Sequence, residues 1–127
     1  MALRPLQSNA ADPKQVKRAE RFEKRKAERF DLWLSAVLAT PEGRALLCAI
    51  IDEAGVFVTS FDHSGSIMCF KEGRRNYGLE IRAACVAVDE DLVALMDQEA
   101  TARRRADQRE IDAGHTASAS EAKEQGQ

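Results

Sequence analysis

No apolar run in the sequence approaches the ~20 residues that a membrane-spanning helix needs, and the N-terminus has no apolar core of a signal peptide. The protein is therefore expected to be made and kept in the cytosol, or packaged from it. Cysteine is scarce: Cys48, Cys69 and Cys85 are an odd number without C-x-x-C spacing, and two lie among apolar residues. Reduced core thiols are expected in place of a disulfide or a metal site. Only 6% of residues are aromatic, and seven glycines and three prolines exclude a collagen or silk. There is no Gly-rich phosphate loop, no zinc-ligand spacing and no histidine beside a plausible nucleophile. His63 stands in a turn with Asp62 and Ser64, whereas the members of a catalytic triad normally come from separate elements. His115 carries no signal, and Asp89-Glu90-Asp91 reads as a helix start and not as a metal site. Neither catalysis nor a cofactor is expected.

What is present suits one small globular domain. Of the 127 residues, 44% are hydrophobic and 31% charged, too few for two domains with separate cores. The net charge of -2 conceals a division: residues 1 to 30 hold nine Lys or Arg against four acids, the rest ten against seventeen. The chain is a charge dipole along its sequence.

Residues 1 to 11, with Pro5, Ser8 and Asn9, read as a flexible arm. Asp12-Pro13 then gives a helix cap followed by proline at the first helical position, and nothing interrupts the helix before Leu38, a length of roughly 39 Å at 1.5 Å per residue. Val16, Ala19, Phe22, Ala27, Phe30, Trp33, Leu34, Val37 and Leu38 cluster on one side. Lys14, Arg18, Arg21, Arg25 and Arg29 recur on roughly the opposite side. Like charges at that spacing repel by a few tenths of a kcal/mol per pair. Two readings of the stripe stand: a solvated face, or a surface for a polyanion such as DNA phosphates or an acidic protein wall. No aromatic interleaves the cations on that side, which disfavours base stacking.

Thr40-Pro41-Glu42 repeats the start signal. The second helix runs to about Ala54, ends at Gly55, and is apolar around most of its circumference, so it is expected to be the most buried element. Val56 to Phe61 could be extended and pair with Ile67 to Phe70, but a helix from near Ser66 is preferred. Ile67, Phe70, Arg74, Tyr77, Ile81, Ala84 and Val88 continue one seven-residue repeat without a break in phase. Arg74 is the odd member. Its charge on an apolar stripe predicts a buried ion pair with Asp52, Glu53 or Glu42, the alternative being plain exposure. Gly73 and Gly78 within that helix suggest a close neighbouring backbone. Arg44 and Arg75 read as surface residues.

Asp89 caps a fourth helix whose Leu92, Val93, Leu95 and Met96 can dock on the core. Beyond Asp97 the apolar stripe disappears, so that helix should project, and from Asp112 to Gln127 the polar tail is expected to be disordered. The prediction is an all-α fold: a small helical bundle over residues 12 to 111, its core at about 30 to 96, with a long basic N-terminal helix and a projecting C-terminal one.

Three sets of residues carry a resemblance: Thr40-Pro41-Glu42-Gly43-Arg44; Gly55-Val56-Phe57 with Thr59-Ser60-Phe61; and Glu72-Gly73-Arg74-Arg75 with Gly78-Leu79. In that order and spacing the stretch from about Phe30 to Met96 resembles a family of small proteins encoded by short-tailed bacteriophages and prophages, typified by a member from a Bordetella phage. The resemblance implies a phage gene product from the neighbourhood of head and packaging genes, without known catalysis, and its setting implies many copies. Combined with two protruding helices, it gives two expectations. One is a minor virion protein packing on larger portal, head or ejected internal proteins. The other is a nucleic-acid-binding accessory of genome packaging, with Lys14, Arg18, Arg21, Arg25 and Arg29 on phosphates.

Overall fold

Side-chain caps open three of the four helices in this computed structural model, which describes residues 12–126; the arm expected over residues 1 to 11 lies outside the described residues. Asp12 accepts the Lys14 N–H at 3.0 Å ahead of α1, Pro13–Leu38. Thr40 Oγ1 accepts the Gly43 N–H at 3.1 Å ahead of α2, Pro41–Glu53. Helix α3, Gly65–Val88, follows Ser64 without a side-chain cap. Asp89 accepts the Leu92 N–H at 3.0 Å at the start of α4, Glu90–Gln125. Among the described residues there is no strand. The fold is all-α, and the segment weighed as a hairpin is a turn-containing connector that leaves α2 at Gly55, φ +79°.

The chain bends by 112° between α1 and α2, and α2 then lies against α1, α3 and α4. Leu34 and Leu38 of α1, Leu47, Cys48 and Ile51 of α2, Val56 of the connector, Cys85 of α3, and Val93 and Met96 of α4 form the core. Leu38, Ile51 and Met96 are sealed from solvent, and each such burial stabilises by roughly 1.5–3 kcal/mol. Gly78 is where α3 closes on the end of α2: a Cβ there would stand 2.6 Å from Ala54 Cβ and 2.7 Å from Val56 Cγ2.

Helix α2 is the most buried of the helices, as expected, with Arg44, Leu47, Cys48 and Ile51 inside, although it buries one face only and Leu46 and Ile50 stay 60% and 44% exposed. Two expectations are corrected. Gly73 has no neighbour for an added Cβ within 4 Å; no backbone passes there. The segment from Asp112, expected to be disordered, continues α4 to Gln125. Ala113, Ala117, Ala119, Glu121, Ala122, Lys123, Glu124 and Gln125 favour helix and no proline interrupts it, and side chains reinforce the turns: Gln108 Nε2 donates to Asp112 Oδ1 at 2.9 Å, and the Thr116 hydroxyl to the Asp112 carbonyl at 2.8 Å. The two long helices both outrun the core. Residues 20 to 33 of α1 and 102 to 125 of α4 are exposed throughout.

Candidate functional site

The corner between α1 and α2 contains the buried charge that the sequence placed elsewhere. Thr40 caps and Pro41 starts α2, and a Cβ on Gly43 would collide with the carbonyl oxygen of Val37. That close approach brings Arg44 under the end of α1. Arg44 is 5% exposed. Its Nε donates to Glu99 Oε2 at 3.0 Å, its Nη2 to Glu99 Oε1 at 2.7 Å, and its Nη1 to the Leu38 carbonyl at 2.9 Å. One guanidinium thus caps α1 and ties α2 to α4, in the bidentate geometry that suits arginine and carboxylate. Hydrogen bonds from Arg44 hold the Glu99 carboxyl below its ordinary pKa, outweighing the opposing effect of burial.

Arg74 is corrected in the opposite sense. Its side chain is 46% exposed, and it donates to the backbone carbonyl of Glu53 at 2.7 Å, capping α2. The Glu53 carboxylate, 87% exposed, is 3.8 Å away. Neither Asp52 nor Glu42 pairs with it; Asp52 instead accepts a weak contact from Cys48 Sγ at 3.8 Å. The reason is that the first half of α3 runs beyond the core. Ile67, Phe70 and Tyr77 on the same stripe are 47%, 66% and 65% exposed, while Ile81, Ala84 and Val88 pack against it. Around α3, Ser60 donates to Glu72, Lys71 pairs with Asp62 at 3.0 Å, and Arg75 with Glu72 at 3.5 Å.

A second staple joins α3 to α4. Arg82 donates to both carboxylate oxygens of Asp97 at 3.0 and 2.6 Å, with Phe57 against its guanidinium. This pair borders an open groove of about 570 Å³ between α2 and α4, where Arg103 and Arg104 face Asp52 and Asp107. Charges of both signs leave it without a preference for a simple ion. Cys48 and Cys85 are buried and free, and burial pushes both thiols above their ordinary pKa, away from reactivity. Cys69 is exposed. Among the described residues no cluster of His, Cys, Asp or Glu could hold a metal ion.

The predicted basic residues Lys14, Arg18, Arg21, Arg25 and Arg29 all lie exposed on α1. None has an ion pair among the described residues. One aromatic does reach the stripe, against expectation: Arg18 lies over the Phe22 ring, 5.9 Å from its centroid. Phe22 shares a shallow depression of about 420 Å³ with Arg18, Arg21, Lys24 and Arg25. The spacing of the sequence put Phe22 on the other side because a wheel of directions ignores the reach of a long arginine.

The sequence model of the family described as Bbp19-like phage protein matches residues 34–97. The chain belongs to that family. No curated protein and no solved structure matches the chain. The Bbp19-like segment begins at Leu34, the first core residue, and ends at Asp97, the partner of Arg82. It holds every core residue, together with Gly43, Arg44 and Gly78, whose positions are required by close contact or by a buried charge. Both exposed helical extensions, and Glu99, lie outside it. Among the described residues no single helix is long and apolar enough to cross a membrane.

Proposed function

We propose that this Bbp19-like protein is a minor virion component of a short-tailed phage, present in many copies, that packs on larger head, portal or ejected internal proteins through its helices and has no catalytic role. The observation that carries this reading is the apolar surface its own fold leaves open. Phe22, Phe30 and Trp33 on the free part of α1 are 52%, 47% and 62% exposed, and Phe57, Phe61, Phe70 and Tyr77 on the body are 65% exposed or more. Exposed apolar surface of this extent marks interaction sites, and aromatic side chains with arginine are the usual anchors of protein interfaces. Mass spectrometry of gradient-purified particles tests it. The protein is expected among the virion polypeptides; its absence from infectious particles removes the proposal.

A second reading draws on Lys14, Arg18, Arg21, Arg25 and Arg29 of α1, which have no ion pair among the described residues. In this reading the helix lies along nucleic acid, with contacts to phosphates supplying most of the affinity. Five phosphate contacts give a slope of about -4 to -5 in log K against log salt on duplex DNA. Binding that does not respond to salt excludes it.

A further inference from the structure

Helix α1 runs unbroken from Pro13 to Leu38, and Leu34 and Leu38 anchor it in the core. Residues 20 to 33 of the same helix extend beyond the body and are exposed throughout. Among the described residues nothing covers its aromatic edge of Phe22, Phe30 and Trp33, which are 52%, 47% and 62% exposed. On the body, Ala49, Ile50, Ala54 and Tyr77 line an open groove of about 510 Å³ between α2 and α3, with Glu53 and Arg74 at its rim. Leu46 lies one turn before Ile50, and Phe70 two turns before Tyr77, both exposed. Ile67, Phe70, Arg74 and Tyr77 have the three-four spacing of a helix that packs lengthwise against another helix, yet all four face solvent.

Charge selects the occupant. Residues 13 to 30 hold eight Lys or Arg against three acids, and residues 31 to 97 hold five against eleven. All five cations of the body, Arg44, Lys71, Arg74, Arg75 and Arg82, already pair with carboxylates of their own chain. The body thus carries a surplus of acids, Glu80 among them, while no cation of the arm has an ion pair among the described residues. Nucleic acid would satisfy the arm but be repelled by the body, and would leave the apolar groove open. A second copy of the chain satisfies both surfaces at once. The chain is far from compact: 10579 Å² is accessible, against ~6,700 Å² for a compact monomer of this mass.

We infer that the chain assembles with itself, the aromatic edge of α1 in one copy lying in the α2/α3 groove of the next. Two different surfaces meet, so the copies either exchange arms in a two-fold pair or follow one another head to tail in a ring. Light scattering on the full chain at about 100 µM should give at least twice the 14.1 kDa of one chain. Raising NaCl from about 50 to 500 mM should weaken association at least ~10-fold. Two double variants separate the surfaces: Phe22→Ser with Trp33→Ser, and Ile50→Asp with Tyr77→Asp. All four positions are exposed, and circular dichroism confirms that each variant folds. Each double variant alone should be monomeric, or at least ~100-fold weaker in association. A one-to-one mixture should recover association, because one arm and one groove remain intact. A monomeric wild type at about 100 µM overturns the inference, as does a mixture that fails to associate or a double variant that keeps the wild-type mass. The virion proposal survives any of these failures, since a monomer can still dock on a larger protein.

Discussion

A guanidinium that is 5% exposed and cannot shed its proton is tolerable only when oxygens take its hydrogens. Arg44 has three such oxygens, two on Glu99 and one on Leu38. Arg44→Ala should leave the Glu99 carboxylate and the end of α1 without a partner and lower the melting temperature by more than about 10 °C. Arg44→Met combined with Glu99→Leu should recover much of that loss, because the pair is replaced and not halved. The same contact sets a pH dependence. The folded pKa of Glu99 lies below its unfolded value of about 4.3, so its contribution is complete above that value and is lost as pH falls through the depressed folded value. Asp62, lowered first by the Ser64 N–H and then by Lys71, acts in the same window. Thermal melts should therefore weaken below about pH 4, and Glu99→Gln should flatten that decline. The two arginines depart from the sequence pattern for different reasons. Arg44 finds its carboxylate 55 residues away, so nothing local marks it. Arg74 lies on an unbroken apolar stripe, but the body does not cover the first half of that stripe, and periodicity alone does not report tertiary cover.

At the scale of the element, the helices were legible because their boundaries are local chemistry. Asp12, Thr40 and Asp89 cap as their neighbours imply, and Pro13 and Pro41 stand at first positions. What covers each helix face was less legible, because burial depends on tertiary neighbours. The glycines divide in the same way. Gly78→Ala places a methyl against Ala54 and Val56 and should cost about 1–3 kcal/mol. Gly73→Ala meets nothing and should stabilise by up to about 1 kcal/mol. Denaturant titrations of the two variants should thus move in opposite directions. Chain truncation after Ile111 removes only exposed turns of α4. The melting temperature of the body should stay within about 2 °C, while helical circular dichroism falls in proportion to the residues lost. A large drop in melting temperature would mean that the last turns of α4 support the body.

As a whole molecule, the chain joins a small Bbp19-like core to two helices that the core does not cover. Leu34 to Met96 supplies every core residue, which is why the family resemblance and the core reading converged on nearly the same span. The extensions carry most of the exposed basic charge, and residues 20 to 33 and 102 to 125 are exposed throughout; the partner proposed for them is a second molecule, which a single sequence does not specify. The proposed role requires that the chain lie against a larger phage protein in the particle. Cross-linking mass spectrometry on purified virions reads this through Lys14, Lys17, Lys24 and Lys26. Links from these lysines to a head, portal or ejected internal protein are the predicted result. Particles in which no lysine of the chain links to another virion protein, or in which the chain is missing, would contradict the account.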